Sequence, residues 1–167
     1  MEELSARVSE ASFITKVDLK SGFYLIRMAL GHEKFMAFHT KFGLYEYLVM
    51  PFGLSNAPAT FQREINRIFR PLLELELFIK TDVHIDEDDG MVVVAYIDDI
   101  SIATKGSLEK HHRQVSKVFQ LLMDNHMCIE IDKCIFDATE TPFLQFIVSG
   151  SGLRMDPEKA GAIVDWP

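Results

Sequence analysis

Met91-Val92-Val93-Val94-Ala95-Tyr96-Ile97-Asp98-Asp99-Ile100-Ser101-Ile102-Ala103-Thr104 is the stretch that decides the fold. Two apolar runs, residues 91–96 and 100–103, flank a pair of aspartates. Short runs rich in β-branched residues are strands, and two of them so close together form a hairpin. The acids then lie at its tip. Upstream, Phe13-Ile14-Thr15-Lys16-Val17-Asp18-Leu19 has the same design, a buried strand ending in an acid. An acid at the end of an apolar strand is costly unless it is paired or binds a metal.

Working outward from these two stretches, Phe23–Ala29, Phe35–His39 and Glu46–Val49 read as strands, with a turn at Lys41–Tyr45. Pro51, Gly53 and Pro58 mark a loop. A helix is expected from Ala59 to Leu73, with Phe61, Ile65, Ile68 and Phe69 on one stripe and Pro58 suiting its start. Ser107 caps an amphipathic helix over Leu108–Asn125 that carries Val115, Val118, Phe119 and Leu122. A last strand, Phe143–Val148, closes at Gly150-Ser151-Gly152. Residues Met1–Glu10 read as helical, with Leu4 and Val8 on one face, and Asp156-Pro157-Glu158 starts a further helix. This order predicts one α+β domain, a split βαβ antiparallel sheet with helices on one face. In that plan the strand ending at Asp18 lies beside the hairpin tip, so Asp18, Asp98 and Asp99 converge.

Three converging carboxylates repel one another. Divalent cations with oxygen ligands relieve the repulsion; Mg²⁺ is the ordinary choice and Mn²⁺ its substitute. Two such ions about 3.5–4 Å apart clamp the attacking and leaving oxygens of a phosphoryl transfer. A lone strand-end Asp is more often a turn former, and a lone Asp-Asp pair a solvated turn.

Hydrophobic residues make up 48% of the chain and charged residues 25%, the balance of a soluble globular domain. No apolar run approaches the roughly 20 residues that span a bilayer, so no membrane partner is expected. The two cysteines, Cys128 and Cys134, suggest neither a disulfide framework nor a zinc site, and the default setting is intracellular. The net charge is −8, and six of those excess negative charges fall between Glu74 and Gly90. The near-neutral remainder can meet a phosphate backbone through a local groove or bound cations, but not strongly by charge alone. His111-His112 reads as the start of an exposed helix rather than a metal site. Asp86-Glu87-Asp88-Asp89-Gly90 lacks the spacing of a calcium loop.

The words around the acids carry a resemblance. Phe13–Phe23 resembles the first catalytic motif of reverse transcriptases from gypsy-type LTR retrotransposons and retroviral polyproteins. Tyr45-Glu46-Tyr47-Leu48-Val49-Met50-Pro51-Phe52-Gly53-Leu54-Ser55-Asn56-Ala57-Pro58-Ala59-Thr60-Phe61-Gln62 is similar to that family's template- and nucleotide-positioning segment. Tyr96-Ile97-Asp98-Asp99 matches its YxDD signature. Asp132–Phe136, Met155–Lys159 and Asp165–Pro167 resemble later stretches in the same order. The long segment is highly specific; YxDD alone is weak.

The resemblance implies a polymerase palm with part of the fingers over residues 1–167, residues 153–167 leading toward a thumb. It implies RNA-directed DNA synthesis, with dNTPs added to a primer on an RNA or DNA template. Asp18 and Asp98 would be the principal ligands of two metal ions, with Asp99 completing the cluster. The backbone of Leu19, Ser21 and Gly22 would approach the triphosphate. Phe23 would gate against a ribose 2′-hydroxyl, and Phe52-Gly53 would lie against the nucleotide and template base. Lys133 is a candidate proton donor to the leaving pyrophosphate. The remaining fingers, the thumb and an RNase H segment would lie elsewhere in a longer polyprotein, in the cytoplasm, a virus-like particle or the nucleus. Two features depart from the pattern: an acidic insertion over residues 75–90, expected as an exposed hairpin or disordered loop, and Gln145 where the primer-grip strand usually has Gly. These departures leave room for an alternative, a catalytically inactive remnant kept as a binding or structural module.

Overall fold

The computed structural model describes Val8, residues 11–72, the backbone of 73 and of 83–86, residues 90–144 and residues 146–157. Expectations for the rest of Met1–Glu10, most of the acidic insertion, Gln145 and the helix beyond Pro157 lie outside the described residues.

Among the described residues a five-stranded sheet forms the centre, in the order β4-β5-β6-β1-β7. Its strands are β1 (Phe13–Asp18), β4 (Val83–Asp86), β5 (Met91–Tyr96), β6 (Asp99–Thr104) and β7 (Ile135–Ala138). Every pairing in it is antiparallel. The hairpin read from the sequence is present, with Tyr96 opposite Asp99 and Ile97-Asp98 as its two-residue turn. β1 lies against β6 with Asp18 opposite Asp99, Lys16 opposite Ser101 and Ile14 opposite Ala103.

Side chains alternate across a strand, so this register sorts the sheet into two faces. On one face Val17, Met91, Val93, Ala95, Ile100 and Ile102 are buried. They meet Phe61, Ile65, Ile68 and Phe69 from helix α1 (Ala57–Phe69) and Val115, Val118 and Leu122 from helix α2 (Leu108–Asp124). Complete burial of a Phe or Ile stabilises by about 1.5–3 kcal/mol, so these residues seat the helices. On the other face Ile14, Val92, Val94 and Ala103 pack with Val8, Phe143 and Val148. That cover is a second sheet, β8 (Glu140–Phe143), β9 (Phe146–Ser149) and β10 (Gly152–Met155), in the order β10-β9-β8. Gly150 is required at its β9–β10 turn, because a Cβ there would collide with the Ala11 carbonyl. Two residues further along, the same face becomes polar, with Lys16 and Asp18 on β1 and Asp99 and Ser101 on β6. Helices thus cover one face, and the second sheet covers only the far part of the other.

Several local expectations are corrected. Phe23–Ala29 is not a strand: Ser21 (φ 61°) turns the chain into a 3₁₀ helix, Gly22–Leu25. Its apolar residues Phe23, Leu25, Ile26 and Met28 pack on the helix-side core, which supplies the hydrophobic pattern without a strand partner. Only Arg27 pairs, with Val49. Phe35–His39 is divided between a 3₁₀ turn, Glu33–Met36, and β2 (Ala37–Thr40), which pairs with β3 (Gly43–Glu46). α1 ends at Phe69 and tightens into a 3₁₀ turn over Arg70–Leu73. The strand expected over Phe143–Val148 is two strands folded on each other. Within the acidic insertion the backbone of Val83–Asp86 pairs with β5, so this part is an edge strand of the main sheet. His111 is fully buried instead of exposed, while His112 is exposed as expected. No helix among the described residues is long and apolar enough to cross a membrane.

Candidate active site

The three acids meet where β1 and the β5–β6 hairpin end. Asp18 is the last residue of β1, Asp99 is its cross-strand partner on β6, and Asp98 is at the hairpin tip. The Leu19 amide donates to the Asp98 carbonyl at 3.0 Å and stitches the tip to β1. Gly22 is buried beside Asp98: a Cβ there would come within 3.9 Å of the Asp98 Cβ.

Two ammonium groups answer the negative charge. Lys16 Nζ lies 3.0 Å from Asp99 Oδ1, and Lys133 Nζ lies 3.8 Å from Asp18 Oδ1. Lys133 also pairs with Glu130 Oε2 at 2.8 Å, on the segment whose Glu130 amide donates to the Asp18 carbonyl at 2.9 Å. Burial holds the Asp18 carboxyl above the usual carboxylate range; Lys133 opposes this, and Asp98, Asp99 and Glu130 add to it by repulsion. The bond between Glu130 and Lys133 lowers the first group's pKa and raises the second's. The Cys134 thiol is pushed up, mainly by burial.

An aromatic shelf lies nearby. The half-buried Phe23 ring is 5.1 Å from exposed Phe52 and 5.7 Å from buried Phe61. Gly53 has φ 98°, a conformation that suits glycine, and shapes the loop beyond Phe52. The Leu19 and Lys20 amides are engaged inside the protein, the latter with the Cys128 carbonyl at 2.8 Å. Ser21, the next residue of the predicted triphosphate segment, is exposed, whereas Gly22 is buried beside Asp98. Tyr96 is exposed and stands opposite Asp99.

Lys16, Gln62 and Glu130 are neighbours of the acidic cluster that the sequence reading did not single out. Lys16 had a signal: it stands two residues before Asp18 and so on the same strand face. Gln62 closes the Tyr45–Gln62 segment of the resemblance, but neither its contacts nor those of Glu130 had a local signal, because both depend on how distant segments come together.

Among the described residues no three His, Cys, Asp or Glu side chains form a ready metal cage. The donor chemistry nevertheless fits a hard divalent cation. Mg²⁺ typically takes one or two protein carboxylates and completes its shell with water and substrate phosphates, and the crowding of Asp18 by two further acids is what such a cation relieves.

A sheet with helices on one face, Asp18 and Asp99 at the strand ends of the other and Asp98 at the adjoining hairpin tip is the arrangement of a polymerase palm. The chain belongs to the reverse transcriptase (RNA-dependent DNA polymerase) family, whose profile matches residues 2–148. It is 39% identical over 167 residues to the retrovirus-related Pol polyprotein from transposon 297 of Drosophila melanogaster, covering 100% of this chain and 14% of that protein. It is 34% identical over 166 residues to the transposon Tf2-3 polyprotein of Schizosaccharomyces pombe, covering 99% of this chain and 11% of that protein. The chain therefore spans a small part of these relatives. In fold it is similar to the foamy viral protease-reverse transcriptase in complex with double-stranded DNA, with a TM-score of 0.78, 18% identity, and coverage of 99% of this chain and 26% of that one. A second similar structure is that enzyme with an RNA/DNA hybrid, with a TM-score of 0.72, 20% identity, and coverage of 96% and 20%.

Proposed function

We propose that this chain is the palm and part of the fingers of an RNA-directed DNA polymerase working within a longer polyprotein. The observation that carries this reading is the register of Asp18 with Asp99, with Asp98 at the adjoining hairpin tip. The polyprotein relatives support the larger setting, and the foamy viral complexes support a template-primer partner.

Asp18 and Asp98 would hold divalent ions, with Asp99 adding charge beside them. Bound Mg²⁺ would supply charge neutralisation and a more acidic primer 3′-hydroxyl. The protein's own part is positioning. The Asp18–Asp99 register and the Leu19–Asp98 bond fix the carboxylates before substrate arrives. Ser21 and Gly22 would approach the triphosphate of an incoming dNTP. Phe23 would bound the sugar, and Phe52 and Gly53 would flank the base. Lys133 would place a proton near the leaving pyrophosphate. Lys16 balances Asp99 from within the sheet face.

The test is primer extension in a longer polyprotein that includes the rest of the fingers and the thumb. Asp18→Asn or Asp98→Asn should nearly abolish extension. Retention of more than about a tenth of the rate, one decade or about 1.4 kcal/mol of barrier, would sink the metal-ligand role. Stability should move the opposite way. The folded pKa of Asp18 is raised, so its stability contribution is present below the ordinary carboxylate range and is lost as pH rises through the raised value. At neutral pH Asp18→Asn should therefore raise Tm, as thermal unfolding of the two proteins would show. A lower Tm would show that the native carboxylate stabilises the fold.

A further inference from the structure

Gln62 lies on α1, and its side chain grips the turn that carries Asp98. Its Oε1 accepts the Ile97 N–H at 2.7 Å, and its Nε2 donates to the Ala95 carbonyl at 3.0 Å. Nε2 also donates to Asn66 Oδ1 at 3.0 Å. These bonds orient the amide: its two N–H groups meet two acceptors, and its oxygen meets the one donor. Reversed, the oxygen would face the Ala95 carbonyl.

The grip falls on a strained turn. Ile97 has φ 55°, a left-handed conformation that β-branched residues rarely adopt. As the first of the two turn residues, its N–H lies outside the strand ladder. Gln62 holds the backbone on both sides of Tyr96, and Leu19 holds the Asp98 carbonyl from β1 at 3.0 Å. The turn is thus pinned from a helix and from a strand.

We propose that Gln62 is a positioning residue, which fixes the Ile97-Asp98 turn and so aims the Asp98 carboxylate; this rests on the polymerase reading above. Acting only through Asp98, it should affect the rate of nucleotide addition more than nucleotide binding.

The first measurement is amide hydrogen exchange on the whole chain. Wild-type Ile97 should be protected although it lies in a turn. Gln62→Met should speed its exchange at least tenfold and leave Val93 and Ile102, within the ladder, within twofold. The second measurement is single-nucleotide addition in the longer polyprotein, where Gln62→Met should lower kcat at least tenfold with KM for the nucleotide within threefold. An unprotected wild-type Ile97 overturns the proposal even if the methionine variant fails to fold. So does a kcat within twofold of wild type, or a KM that rises in step with the loss. Asp98→Asn is the control. If it extends primers as well as wild type, the polymerase reading falls; if it is inactive while Gln62→Met is fully active, the positioning role alone falls.

Discussion

Phe23 stands between core and site. Its ring touches buried Phe61 on one side and exposed Phe52 on the other. A residue placed so can wall a sugar pocket and also fill the core, and the two roles separate on substitution. If the ring excludes a 2′-hydroxyl, Phe23→Val should raise ribonucleotide incorporation relative to deoxynucleotide by about tenfold or more. If the ring is only packing, Phe23→Val should lower stability by about 1–3 kcal/mol and reduce both incorporations together. Single-nucleotide extension with matched ribo- and deoxynucleotides reads the ratio, and an unchanged ratio removes Phe23 from the site. The placement of Asp18, Asp98 and Asp99 at one sheet end was legible from sequence because each interrupts or ends an apolar strand, where an acid needs a reason. Gln62 was not. A glutamine on an amphipathic helix is ordinary, and the turn it grips is 35 residues away.

At the scale of elements, β1, β5, β6 and both long helices follow from local pattern, while the 3₁₀ turn Gly22–Leu25 does not. Its apolar residues satisfy a strand pattern, but Ser21 and Gly22 turn the chain before a ladder can form. α2 shows a further contact that local pattern hides. His111 is fully buried, with Nε2 2.7 Å from Thr15 Oγ1 on β1 and Nδ1 2.7 Å from Thr104 Oγ1 on β6. A neutral imidazole meets both with one donor and one acceptor. Burial pushes its pKa below the ordinary imidazole value; Asp137 on β7 opposes the shift and His112 adds to it. A depressed histidine pKa means stability that is present above the unfolded value, near 6.5, and is lost as pH falls through the folded value. Tm should therefore fall from about pH 7 to about pH 5, near and below that unfolded value. His111→Gln should flatten this dependence and lower stability at neutral pH by about 1–3 kcal/mol, the range for impaired buried hydrogen bonds. An equally steep pH dependence in the variant would assign it to other groups.

At the scale of the molecule, the two faces of the main sheet have different fates. Helices cover one, and the other is covered at its far end and polar at its near end. Charge is uneven as well: the net charge is −8, with six of the excess negative charges between Glu74 and Gly90. Because Val83–Asp86 is a strand of the main sheet, deleting the whole insertion would remove an edge, so neutralisation is the sharper test. Glu87→Gln, Asp88→Asn and Asp89→Asn together should tighten primer-template binding several-fold at about 50 mM salt. The gain should fade by about 0.5 M, where the screening length is only a few ångströms. An equal gain at both salt levels would mean that the change acts by contact instead of long-range repulsion. By itself the sequence determined the α+β class, the strands that end in acids, the helix stripes and the family, because alternation, helical period and motif spacing are written in near neighbours. Tertiary structure alone decided which face is open, that Lys16 answers Asp99, that His111 is buried against Thr15 and that Gln62 holds the turn of Asp98. Those contacts form only when register and packing bring separate elements together, and no local periodicity encodes them.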